Sequence, residues 1–236
     1  MSIADNVAAI RERIAHAAAR VGRNSDSITL MAVSKTVDAE RIRQAYATGL
    51  RIFGENRVQE FAEKAAALAG CKDAEWHLIG HLQSNKAKKA AELFAAVDSV
   101  DSLRLAEKLD QAAQQAGRKL SVLVEIKVGA EESKAGLPLD SPELENLLRA
   151  APRLDHVQIR GLMTVPPFTE DPEGARMYFR MLRDLRDQIA RRNLPRVQMD
   201  VLSMGMSHDF EVAIEEGSTC VRVGAAIFGS RPAPAA

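Results

Sequence analysis

The chain has 236 residues, 46% hydrophobic and 27% charged, which excludes a disordered chain and allows a core that needs no disulfide or structural metal. Lysine plus arginine and aspartate plus glutamate balance at 32 each, so no global field draws the chain to nucleic acid or to an anionic membrane. Cys71 and Cys220 stand in no metal-ligand spacing and fit a reducing, cytoplasmic setting; the N-terminus has no signal-peptide apolar run, and no stretch approaches the ~20 apolar residues that span a bilayer.

Ile3, Val7, Ile10 and Ile14 recur at helical spacing and predict an N-terminal helix that Gly22 ends. From there strands and helices alternate. Thr29 to Lys35 reads as a strand and Val37 to Thr48 as a helix closed by Gly49. Leu50 to Gly54 is the second strand, with a helix from Val58 to Leu68. Trp76 to Gln83 is the third, with a helix from Asn85 to Phe94. Ala95 to Val100 is a weaker fourth, with a helix from Leu103 to Gln115 closed by Gly117. Leu120 to Val128 is a strong fifth, and its helix follows Ser141-Pro142, a cap residue before a proline at the first helical position. Val157 to Val165 is the sixth, followed by a long helix from Pro172 to Arg192. Val197 to Ser203 is the seventh, His208 to Glu216 a helix ended by Gly217, and Cys220 to Phe228 the last strand.

Eight strand signals separated by helices predict an α/β fold, a single (β/α)8 TIM-type barrel with an extra N-terminal helix. Open doubly wound sheets usually stop at about five or six strands. No linker-like stretch breaks the pattern, so the expectation is one domain over 1–230 and a flexible tail over 231–236.

Barrels of this type carry their chemistry at the C-terminal ends of the strands. Lys35 ends the first strand on the face of Met31 and Val33. A lysine at a dry barrel mouth is desolvated, which lowers its pKa and frees a neutral amine for carbonyl attack. The competing reading is a lysine reaching to solvent at the rim. The loops after strands seven and eight, 202–208 and 221–226, suit an anion. Gly205 and Gly224 admit backbone N–H groups, Ser207 is a candidate N-cap, and Arg222 shares a face with Gly224. Ordinary turns use the same residues. The pairing of Lys35 with this loop pair is more specific, because strands one and eight are neighbours only if the barrel closes.

His77 and His81 lie ~13 Å apart along a strand, too far for one ion, and read as hydrogen-bonding residues rather than metal ligands. Lys86, Lys88 and Lys89 read as a solvated helix face.

Several stretches are similar to one known family. AVSKT (32–36), FGENRVQE (53–60), HLIGHLQSNK (77–86), EESKAG (131–136), RGLMTV (160–165), LSMGMSHDFEVAI (202–214) and VRVGAAIFGSR (221–231) resemble the pyridoxal phosphate homeostasis proteins. That family in turn resembles the barrel domain of alanine racemases. The resemblance implies that Lys35 forms a Schiff base with pyridoxal 5′-phosphate (PLP) and that Arg222 faces the pyridine nitrogen. It implies that Ser203, Ser207, Gly224 and Ala225 hold the phosphate and that Asn56, His81 and Met204 line the cofactor. Lys134 matches a second family lysine linked to PLP handling, and its plainer reading is a loop lysine. Ala225 stands where the family often has a hydroxyl residue, so the phosphate would rest there on backbone N–H groups; Arg57 stands where many members have tyrosine, and the tail lacks lysines that some members carry.

The implied function is a carrier or regulator in vitamin B6 homeostasis. It would be a cytoplasmic monomer without turnover, with PLP-dependent apo-enzymes as recipients and no nucleic-acid or membrane partner. The alternative is a PLP-dependent amino-acid racemase. Racemisation needs proton donors or acceptors on both faces of the reacting carbon. The only tyrosines, Tyr46 and Tyr178, fall inside predicted helices. A cationic Arg222 beside the pyridine nitrogen also disfavours its protonation and makes the ring a weaker electron sink. A barrel isomerase or Schiff-base aldolase would need a carboxylate at a strand exit, where Glu55 and Glu125 are the candidates; Glu125 shares a face with Lys127.

Overall fold

The computed structural model describes residues 1–129 and 135–229. The expectations for Lys134 and for the tail over 231–236 lie outside the described residues. The strands are β1 (Thr29–Val33), β2 (Ile52–Glu55), β3 (Glu75–Leu78), β4 (Ala96–Val100), β5 (Leu120–Lys127), β6 (Leu137–Pro138), β7 (Val157–Met163), β8 (Val197–Met206) and β9 (Cys220–Val223). They pair in the order β4-β3-β2-β1-β9-β8-β7-β5, and a β4–β5 pairing closes the ring. Every pairing is parallel. The closed eight-strand TIM-type barrel is therefore as the alternation predicts. The two-residue β6 adds to β5 outside the ring and has no counterpart in the sequence reading.

The helices are α1 (Ile3–Arg20), α2 (Ala39–Ala47), α3 (Val58–Ala65), α4 (Ala87–Leu93), α5 (Leu103–Gln115), α6 (Pro142–Ala150), α7 (Arg176–Ala190), α8 (Phe210–Glu215) and α9 (Ala225–Phe228). A capping box opens α1: Ser2 Oγ accepts the Asp5 N–H at 3.1 Å, and Asp5 accepts the Ser2 N–H at 2.9 Å. The predicted stripe of Ile3, Val7, Ile10 and Ile14 is buried, with α1 lying against α2, α8 and α9. Each such side chain contributes about 1.5–3 kcal/mol. No helix among the described residues is long and apolar enough to cross a membrane.

Alternation along the strands sorts side chains into two layers. Ala32, Phe53, Val97, Val122 and Val223 belong to the large apolar cluster with the helices. Their neighbours face the lumen. A Cβ added to Gly54 would come 2.9 Å from Met31 Sδ and 3.0 Å from Ile79 Cδ1, so those three share the inner face.

Several boundaries differ from the sequence reading, each for a local reason. β3 stops at Leu78, not Gln83, because the chain turns in against the second strand's exit: a Cβ on Gly80 would lie 2.3 Å from the Asn56 carbonyl oxygen. The last strand ends at Val223, and Ala225–Phe228 is helical; a short apolar run does not separate strand from helix. α8 begins after Asp209, so Ser207 is not its N-cap, and Asp209 Oδ1 instead accepts the Met206 N–H at 2.6 Å.

Glu216, at the end of α8, is the hub of an ion cluster with α7. It accepts from Arg176 Nη1 at 2.8 Å, Arg180 Nε at 3.1 Å and Arg183 Nη1 at 2.7 Å. Burial works against its charge, but the arginines more than offset it and hold the carboxyl below its ordinary range. Glu216→Ala is expected to lower the unfolding free energy by about 2–4 kcal/mol, the low side of a buried pair because the arginines are partly exposed; urea melts should show a shifted midpoint with unchanged slope.

At the N-terminal end of the lumen, His77 Nδ1 meets Asp98 Oδ2 at 3.2 Å. Burial disfavours the charged ring, yet Asp98 and then Glu75 bring its pKa up to about 9. A raised histidine pKa stabilises the fold fully below the unfolded value near 6.5, and this contribution, roughly 3 kcal/mol, fades as pH climbs through about 9. An NMR titration of His77 should give a midpoint near 9, and Asp98→Asn should return it below 7.

Candidate functional site

At the opposite, C-terminal mouth lies a cavity of about 490 Å³. Closure of the barrel creates it. β1 and β9 pair with Met31 opposite Arg222, which sets the turn after β1 beside the exit of β9. Lys35, Asn56, Ser207, Arg222, Gly224 and Ala225 all line this cavity. Lys35 is half-buried.

The remaining expected residues sit around it. Ser203 lies beneath, fully buried, and accepts Arg222 Nη1 at 2.7 Å. Met204 points to the opposite face of β8, into the apolar cluster under the helices. His81 stands at the rim with its side chain 57% exposed, 3.1 Å from Asp101. Neither Met204 nor His81 is among the lining residues.

Arg222 is only 4% exposed. Besides Ser203 it donates through Nη2 to the Thr164 carbonyl at 2.6 Å. Burial pulls its pKa below the ordinary value, while Cys220, Asp98, Glu125 and Asp209 oppose that pull. A guanidinium keeps its proton in proteins, so the group remains a fixed cation. Glu125, 8% exposed, shares the lumen: burial and then Asp101 push its pKa up to about 7 against Arg222 and His81.

The turn that carries Lys35 is clamped from outside the barrel. Lys64 on α3 donates to the Ser34 carbonyl at 3.0 Å and the Val37 carbonyl at 3.5 Å, so it holds both ends of the turn. The same ammonium contacts Glu55 Oε1 at 2.8 Å and Glu60 Oε1 at 3.2 Å. Glu60 in turn accepts the Thr36 N–H at 2.5 Å. Thr36 has φ +61°, a left-handed conformation costly for a β-branched residue, on the order of 1–3 kcal/mol. Glu55 is fully buried, and burial raises its pKa against Lys64 and Ser34. This carboxylate serves the clamp rather than lining the cavity.

On the anion side, Ser207 Oγ accepts the Ala226 N–H at 3.5 Å and so bridges the exits of β8 and β9. Gly205 has φ +95°, and a Cβ there would lie 2.6 Å from Ala213 Cβ. Its glycine is therefore demanded by close packing on α8. The sequence reading missed Arg41, which lines the cavity from the first turn of α2 and donates to the Phe228 carbonyl. A signal existed: helices favour acidic residues in the first turn, and a basic one there asks for an outside partner.

The chain compares closely with known proteins over its length. Residues 6–232 match the family model described as alanine racemase, N-terminal domain. A pyridoxal phosphate homeostasis protein of Aquifex aeolicus is 44% identical over 231 residues, 98% of this chain and 99% of its own. One from Homo sapiens is 42% identical over 237 residues, 94% of this chain and 84% of its own. PipY of Synechococcus elongatus, solved with PLP bound, matches with a TM-score of 0.84 at 39% identity, covering 97% of this chain and all (100%) of that one. An alanine racemase of Clostridium difficile, at TM-score 0.70 and 15% identity, shares the fold over 98% of this chain and 58% of its own. A family model spanning nearly the whole chain and full-length relatives above 40% identity lead to one conclusion: the chain belongs to the pyridoxal phosphate homeostasis protein family.

Proposed function

We propose that the chain holds PLP as a Schiff base on Lys35 and acts in cytoplasmic PLP homeostasis as a carrier or regulator without turnover. The observation that carries this reading is the meeting of Lys35, Arg222 and the Ser207–Gly224–Ala225 cradle in one cavity of about 490 Å³, a size suited to a small cofactor. The lining fits the group. It offers an amine for the aldehyde, a cation for the pyridine nitrogen, and a hydroxyl with open backbone for the phosphate. PLP supplies an electrophilic aldehyde and an aromatic ring that can draw electrons.

Lys35 presents the amine. Arg222, fixed by Ser203 and the Thr164 carbonyl, keeps further N–H groups for the ring nitrogen. Ser207, Gly224 and Ala225 take the phosphate, with Arg41 adding positive charge nearby. Asn56 closes the side of the cavity, while His81 and Met204 support from the rim and from behind β8. The free, buried thiols Cys71 and Cys220 support a reducing compartment.

The absence of turnover follows from two features. Arg222 keeps the ring nitrogen unprotonated, which weakens electron withdrawal from the substrate carbon. Neither tyrosine serves the cavity: Tyr46 donates its hydroxyl to Asp73 on the outside, and Tyr178 sits within α7. The test incubates PLP-loaded protein with L-alanine and, separately, with a PLP-free transaminase. Reactivation of the transaminase without appreciable D-alanine is expected. D-alanine formed faster than about 1 per second would make the chain an enzyme.

A further inference from the structure

The barrel has a second opening. At the N-terminal ends of the strands, away from the cofactor pocket, lies a cavity of about 390 Å³ to which all strands of the ring contribute. Barrels of this fold usually fill that level with bulky branched side chains. Here Thr29, Ala96, Ser121 and Cys220 stand at inward positions, and their small size leaves the space.

The walls carry unmet hydrogen-bonding capacity of both kinds. Asp98 is 1% exposed, and with Oδ2 engaged by His77 its other oxygen, Oδ1, has no partner. Arg160 pairs with Asp200 through Nη2 at 3.1 Å, yet its buried Nε has no partner either. Buried groups in this condition cost about 1–3 kcal/mol each unless something binds them. Glu75 and Asp200 also line it but their side chains are largely exposed, 64% and 59%, so the buried Asp98 is the carboxylate that a ligand would meet away from water.

We propose that this cavity is a second ligand site for a small organic ammonium ion bearing a neighbouring oxygen, with its N–H on Asp98 Oδ1 and its oxygen on Arg160 Nε. The ammonium meets the orphaned carboxylate oxygen of Asp98, and the ligand's oxygen meets the orphaned Arg160 donor. Amino alcohols and amino acids both have this chemistry. The proposal is independent of the cofactor reading, since the two cavities share no lining residue.

Two probes separate the sources. N,N-dimethylethanolamine and N,N-dimethylglycine are tertiary amines, so neither can exchange with an imine on a lysine. Titration calorimetry on the full-length, PLP-loaded protein should show binding of at least one. Asp98→Asn should weaken that binding by at least about tenfold, as removal of one member of a buried charged contact does. Tighter wild-type binding of dimethylglycine points to an amino acid and tighter binding of dimethylethanolamine to an amino alcohol, and Arg160→Gln should weaken whichever probe binds. Because Asp98→Asn could unfold the protein, Ser121→Leu provides an independent check: it fills the space without touching a charge and should abolish binding. Binding by neither probe would mean that the cavity holds water only and would overturn the proposal. So would wild-type affinity in every folded variant.

Discussion

Lys35→Ala is expected to abolish the borohydride-stable PLP adduct and to lower PLP affinity by at least about a hundredfold, ~2.7 kcal/mol. The substitution removes the only lysine amine among the described residues that line the cavity. It leaves Arg222, Ser207 and the Gly224–Ala225 backbone in place, so weak non-covalent binding should persist. The fold should be unaffected, because Lys35 lies in a turn outside the buried apolar cluster. Equilibrium dialysis gives the affinity, and absorbance before and after borohydride gives the covalent fraction. A stable adduct in this variant would relocate the reactive amine.

The second large effect is at Lys64. Lys64→Met is expected to cost about 3 kcal/mol of stability, because it strands the buried Glu55 carboxylate. It should also weaken PLP binding about tenfold, because the Ser34 and Val37 carbonyls lose the donor that holds the Lys35 turn against the strained Thr36. A double variant separates the two. Adding Glu55→Gln removes the stranded charge, so the stability measured by thermal melting should largely return. PLP affinity should stay low, since the turn remains unclamped. Full recovery of affinity in the double variant would reduce Lys64 to a structural role.

The barrel was legible because its signals are periodic. Apolar strands alternate with amphipathic helices, and only eight such units close a ring. Closure alone makes neighbours of Lys35 and Arg222, which lie far apart in the chain. The strand ends were less legible. The alternation of His77, Ile79 and His81 continues past Leu78, and only the close approach of Gly80 to Asn56 shows why the strand stops there. The run from Ala225 to Phe228 carries no period that distinguishes strand from helix. The clamp on the Lys35 turn was invisible for a different reason. Glu55 reads as a candidate carboxylate at a strand exit and nothing in the sequence singles out Glu60 or Lys64; their convergence depends on how α3 docks on β1 and β2. Asp98 gave a fainter clue, a lone carboxylate inside a short apolar strand, where charge is rarely buried unpaired.

The identity of the amine that takes the aldehyde is decisive. The direct measurement is to load the wild-type protein with PLP, reduce it with borohydride, digest it and map the pyridoxyl group by mass spectrometry. The expected result is a single major modification on the peptide containing Lys35. A pyridoxyl group found chiefly on another lysine, or spread evenly over surface lysines with Lys35 unmodified, would contradict it.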